Sequence, residues 1–133
     1  MLEEPWLSWL LLVGRILIAI VYLVSGIHKG IWYSKAVQEF RDAKVPLLHF
    51  FLIGTIILHL IAPLLLVTGT FVTQACLALV IFTIVATFKV HHFWDLRGVD
   101  RLIQSRIFLT NMALTGGLLV LAATGPGRFV MFN

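Results

Sequence analysis

One cysteine, six acidic residues and few charges of any kind set the first limits on this chain. Cys76 alone cannot form an intramolecular disulfide, and no paired-cysteine redox motif exists. Charged residues make up 12% of the sequence, where a soluble domain carries about a quarter. From residue 45 to residue 88 no Asp, Glu, Lys or Arg occurs. The start, Met1-Leu2-Glu3-Glu4-Pro5, lacks the basic residues of a cleavable signal peptide, so the first apolar run is expected to stay in the mature protein. No phosphate-binding glycine loop, nucleophile elbow or Ser/His/Asp pattern is present. The net charge of +4 does not gather into a basic patch with interleaved aromatics, which argues against nucleic acid as a partner.

Apolar residues are what the chain has in abundance: 60% of 133 residues, with a mean hydropathy of +1.02. A core of this size cannot hide so many apolar side chains from water. A lipid bilayer resolves the excess, and spans of about 20 residues each fit four times into this length. The expected fold is an all-α membrane protein, a four-transmembrane-helix bundle forming a single domain over residues 1–133. The spans fall at about 6–27, 47–67, 75–94 and 107–124, with a turn at 68–74 and a polar loop at 95–105. Between spans one and two, Trp32, Ala36, Val37 and Phe40 form a helical stripe opposite Lys35, Gln38, Glu39, Arg41 and Asp42, which predicts a short interfacial helix. Lys29, Lys35, Arg41, Lys44, Lys89, Arg97, Arg101 and Arg106 all lie in or beside the loops after spans one and three. The other side holds Arg128, besides Arg15 within span one. The positive-inside rule then puts both charged loops in the cytoplasm and both termini outside, in a multi-pass cell (plasma or inner) membrane protein.

Polar groups inside a membrane are expensive, so each one calls for a reason. Arg15, Tyr22, Gly26 and Lys29 share one face of span one. Arg15 lies roughly 13 Å from the helix start at 1.5 Å per residue, where a charge needs a partner. Lys29 stands at the charged end, where it either anchors the helix or faces a ligand. In span two, Pro63 lacks the N–H that would bond the His59 carbonyl, so a kink and an exposed acceptor are expected to coincide with a mid-membrane histidine. Thr83, Thr87 and His91 are spaced by four and share a face, while His92 is turned about 100° away. Trp94 follows at the membrane interface, and Gln104, Asn111 and Thr115 form a stripe in span four beside Gly116-Gly117. Five histidines raise the question of a metal or haem. No HxxxH pair exists, and His59 and His91 differ in depth by about 15 Å at 1.5 Å per residue. His28, His49, His91 and His92 all fall near the charged surface, so metal handling there stays an open, weaker alternative.

With these residues in hand, the chain resembles the DoxX family of small four-helix membrane proteins. The resemblance runs through Gly14-Arg15, Ser25-Gly26 with Lys29, and the stretch from Phe40 to Val45-Pro46. It continues with Ala86-Thr87-Phe88 leading to His91-His92-Phe93-Trp94, then Asn111-Met112-Ala113-Leu114-Thr115-Gly116-Gly117 and Gly125-Pro126-Gly127. One departure stands out: the family usually has a Glu before the small residues of span two, where this chain reads His59-Leu60-Ile61-Ala62-Pro63. The resemblance implies an association with quinone-linked redox systems, since the family takes its name from subunits of a thiosulfate:quinone oxidoreductase. Other members resemble partners of membrane redox systems against oxidative stress, and distant relatives resemble assembly factors.

The expectation that follows is a membrane redox component binding a quinone or similar lipophilic small molecule inside the bundle, alongside a membrane or peripheral redox partner. Lys29, His91, His92, Gln104, Asn111 and Trp94 line the charged half, with His91 or His92 handling protons and Asn111 bonding a carbonyl. Arg15 and His59 form a deeper polar pair, with His59, in place of the family's Glu, a further candidate for handling protons or binding the ligand. The chain itself supplies no electron carrier, so catalysis of its own is left open. The alternative is a non-enzymatic helper that assembles or stabilises another membrane protein.

Overall fold

The computed structural model describes residues 3–132. Five helices follow one another: α1 Trp6–Ile31, α2 Tyr33–Asp42, α3 Leu48–Thr68, α4 Val72–Val90 and α5 Gly98–Thr124, with a 3₁₀ turn Phe93–Asp95 before α5. Four of them, all but α2, are long and apolar enough to cross a membrane. Their outward faces carry exposed Leu17, Ile57, Ile81 and Val120, the pattern of helices solvated by lipid. The inner contacts are made by Ala19, Leu66, Ala75, Cys76, Leu79, Leu118 and Leu121. α1 packs chiefly on α3 and α4 chiefly on α5, and the two pairs close on each other more loosely.

The ends of the elements have local causes. α1 continues through Lys29 because a long cationic side chain at a helix end reaches the membrane surface without interrupting the backbone. It stops where Trp32 leaves the helical region, its N–H still bonded to the His28 carbonyl. α2 then lies across the α1 end with Ala36 buried and its charges outward, the interfacial helix expected from the stripe. α3 ends in a Schellman arrangement at Gly69 (φ 77), with Thr70 N–H on the Leu65 carbonyl at 3.0 Å. A Cβ at Gly69 would stand 2.6 Å from Val130, so both conformation and space require glycine there.

Four boundaries differ from the hydropathy reading; two of them are that α1 runs on to Ile31 and α4 begins at Val72. α4 stops at Val90, and what was expected as a polar loop over 95–105 is the 3₁₀ turn plus the first turns of α5. Hydropathy registers where the membrane is, and a helix can begin in water before it enters lipid. Asp100, Arg101, Gln104 and Ser105 occupy those wet first turns.

After α5 the chain folds back over the end of the bundle. Met131 N–H bonds the Thr68 carbonyl at 2.8 Å, and Arg128 N–H bonds Ser8 Oγ at 3.2 Å. Phe129 packs on Trp9 with ring centroids 4.6 Å apart. This tail closes the end opposite the charged loops.

Candidate functional site

Arg15 is fully buried beneath that tail. Its Nη1 donates to the Pro126 carbonyl at 2.7 Å, and its Nη2 to the carbonyls of Phe129 at 2.6 Å and Val67 at 3.4 Å. The expected Arg15–His59 pair therefore does not form. Backbone carbonyls of a returning segment satisfy the guanidinium, and its planar fork suits several acceptors at once. No carboxylate among the described residues lies within ion-pair distance of Arg15.

His59 stands nearer the charged end, 3% exposed, with neither Nδ1 nor Nε2 hydrogen-bonded. Its ring is wedged edge-on between Tyr22 at 5.2 Å and Phe82 at 4.5 Å between centroids. Gly26 makes this position possible: a Cβ there would lie 2.9 Å from the His59 Cβ, so the α1 and α3 backbones touch. α3 passes through Pro63 without a break, and the His59 carbonyl has no N–H four residues on. An apolar setting that leaves a buried donor and acceptor unmet costs about 1–3 kcal/mol.

From this level a line of polar groups climbs to the charged end. The Tyr22 hydroxyl meets Thr83 Oγ1 across α1 and α4. One turn further, Thr87 is fully buried, its hydroxyl donating to the Thr83 carbonyl and accepting from Asn111 Nδ2 at 3.1 Å. At the mouth, His91 Nδ1 meets Gln104 Oε1 at 2.7 Å. Nδ1 donates in that bond, since an amide oxygen only accepts. Thr83, Thr87 and His91 thus share the inner face that their spacing indicates. His91 meets Gln104 rather than Asn111: because α5 begins at Gly98, Asn111 is carried about 20 Å along the helix at 1.5 Å per residue, level with Thr87.

The remaining candidates stand apart from this column. His92 Nδ1 pairs with Asp95 Oδ1 at 2.7 Å on the exposed surface. Trp94 belongs to an aromatic collar with Phe88, Phe93 and Phe108, half exposed where a membrane interface would lie. Lys29 donates to Ser25 Oγ at 2.6 Å in a groove between α1 and α2. His28 packs edge-on against Trp32 and His49 bonds the Tyr33 hydroxyl, so the surface histidines have separate partners. Among the described residues no three His, Cys, Asp or Glu side chains gather as a metal site. Sequence reasoning did not find Pro126 and Phe129 as partners of Arg15, since a carbonyl acceptor belongs to every residue and leaves no mark in the letters. Tyr22 was placed on the right face, but nothing in the letters pairs it with Thr83.

Chemically, the column offers hydroxyls and an amide that each donate and accept, an imidazole at the mouth, and a buried imidazole with both nitrogens free. The sequence model of the DoxX family matches residues 10–92. Two Escherichia coli (strain K12) proteins are similar to the chain. Inner membrane protein YphA is 29% identical over 119 residues, covering 89% of this chain and 84% of the relative. Inner membrane protein YqjF is 31% identical over 118 residues, covering 89% and 85%. No solved structure matches significantly. The family match takes in Tyr22, His59, Thr83, Thr87 and His91, every part of the column except what α5 contributes, and this multi-pass membrane protein belongs to the DoxX family.

Proposed function

We propose that the protein is a redox-associated membrane component that binds the head group of a quinone, or of a similar lipophilic carrier, against His59 and the column above it. The observation that supports this is the buried imidazole with two unused nitrogens. One N–H donor and one acceptor fit the carbonyl and hydroxyl oxygens of such a head group, and a ligand oxygen there would remove the desolvation cost. A quinone supplies the capacity to take up two electrons and two protons. His91 stands beside Gln104 at the mouth, an imidazole with one ring nitrogen still open to water or a ligand oxygen. The hydroxyls of Thr87, Thr83 and Tyr22, with Asn111, orient water or ligand oxygens between the mouth and His59. Electrons come from a membrane or peripheral partner, for which the basic charged end is the docking face. Following the positive-inside rule, that end faces the cytoplasm.

A photoreactive azido-quinone added to the protein reconstituted in vesicles tests this reading. The wild type should be labelled, and unmodified quinone should compete. His59→Leu should lower labelling about tenfold, the loss of roughly one hydrogen bond, while thermal stability stays equal or rises. Equal labelling of His59→Leu and wild type would sink the proposal. A second reading, a helper for another membrane protein, has one observation behind it: a shallow apolar groove on the lipid face of α3 and α4, floored by Gly54, Ala75 and Ala78, that suits close approach of another helix. Unlabelled wild type together with a co-purifying membrane protein would favour it.

A further inference from the structure

A second groove is unlike the column. It lies between the last turns of α1 and the start of α2, with a volume of about 670 Å³. Its deep part is formed by Val21 and Val24, both about half exposed toward lipid. Its shallow part carries Ser25, Lys29 and Trp32 from α1's end and Lys35 from α2. Val21 lies two turns before Lys29, about 12 Å deeper at 1.5 Å per residue. The wall therefore grades from apolar to cationic over the distance that separates the upper acyl chain of a lipid from its phosphate.

The charges in this groove are incomplete. Lys29 is half-buried and uses one of its three donors on Ser25 Oγ. Glu39 borders the groove, yet no carboxylate among the described residues is within ion-pair distance of Lys29 or Lys35. A partly desolvated ammonium gains most from an anion placed beside it. A free anion would use the cationic rim and leave the valine wall idle, and a neutral lipid would use the wall and leave the ammonium groups unmet. An anionic amphiphile uses both. Basic pockets between helices at a membrane surface bind lipid head groups on this principle.

We infer that the α1/α2 groove is a binding site for one anionic phospholipid, its phosphate held by Lys29, Lys35 and the Ser25 hydroxyl and an acyl chain laid along Val21 and Val24. This site is separate from His59 and does not depend on the quinone reading. The lipid would also tie the interfacial helix α2 to the span from which it folds.

Native mass spectrometry of the full chain, released from micelles holding phosphatidylglycerol and phosphatidylcholine in equal amounts, tests the site. The wild type should retain one phosphatidylglycerol. Lys29→Gln/Lys35→Gln should bind it about thirty-fold more weakly, the loss of two charges near the membrane surface. Lys89→Gln/Arg101→Gln, which removes as much charge elsewhere on the same end, should bind normally. Val24→Trp keeps every charge, fills the groove at an exposed position, and should also lose the lipid. Equal retention of phosphatidylcholine overturns the proposal, as does an equal loss in both charge variants or full retention by Val24→Trp. Displacement of the lipid by inorganic phosphate alone would show a free-anion site and overturn it as well.

Discussion

At the scale of single residues, the two buried nitrogen-rich side chains have opposite circumstances. Arg15 is at the centre of three carbonyls, with only its Nε unmet. His59 has no hydrogen-bond partner among the described residues. Each hydrogen bond from a charged donor is worth about 1.5–3 kcal/mol, so Arg15→Leu should cost about 3 kcal/mol or more. Arg15→Lys should recover only part, because a single ammonium cannot reach the Pro126 and Phe129 carbonyls in the same fixed fork. Thermal unfolding of both variants in detergent measures this. A lysine variant as stable as the wild type would mean that charge alone, not fork geometry, secures the tail. The positions of these residues were legible in the letters, since a charge or an imidazole in an apolar run is conspicuous. Their partners were not: carbonyl acceptors are anonymous, and an unsatisfied ring is known only once its neighbours are in place.

Among the helices, register decides what meets what. Gly26 is the contact point of α1 on α3, whereas Gly14 and Gly30 have open space where a side chain would go. Gly26→Val should therefore push the α1 backbone from His59 and cost about 1–3 kcal/mol, as overpacked cores do. Gly14→Ala should be neutral or slightly stabilising, because alanine favours helix by up to about 1 kcal/mol. Melting curves of the two variants compare them directly, and similar losses in both would remove the close-approach argument. Four spanning helices are visible from the sequence because lipid permits few other ways to cross it. The α2 stripe is visible for the same periodic reason. The start of α5 is not, since its first turns are polar and read as loop, although the helix begins at Gly98 and thereby carries Asn111 to its place beside Thr87.

For the molecule as a whole, the asymmetry of its two ends is the dominant feature. One end carries the basic loops, α2 and the mouth of the polar column; the other is closed by the returning tail. Cysteines introduced in a Cys76→Ala background read the orientation. Gln38→Cys and Asp100→Cys, both exposed at the charged end, should resist a membrane-impermeant thiol reagent applied to intact cells and react after the cells are opened. Reaction in intact cells would place the charged end outside and with it the mouth of the column.

The tail has a consequence for biogenesis. Arg15 belongs to α1, yet two of its acceptors lie 111 and 114 residues later in the chain. While the other helices are being made, the guanidinium must be held by water, lipid head groups or the insertion machinery. Assembly is thus gated by synthesis: α1 cannot reach its final resting depth and packing until residues 126–129 have arrived to receive its charge. A ribosome stalled before residue 126 would hold a bundle in which Arg15 is still waiting for its acceptors.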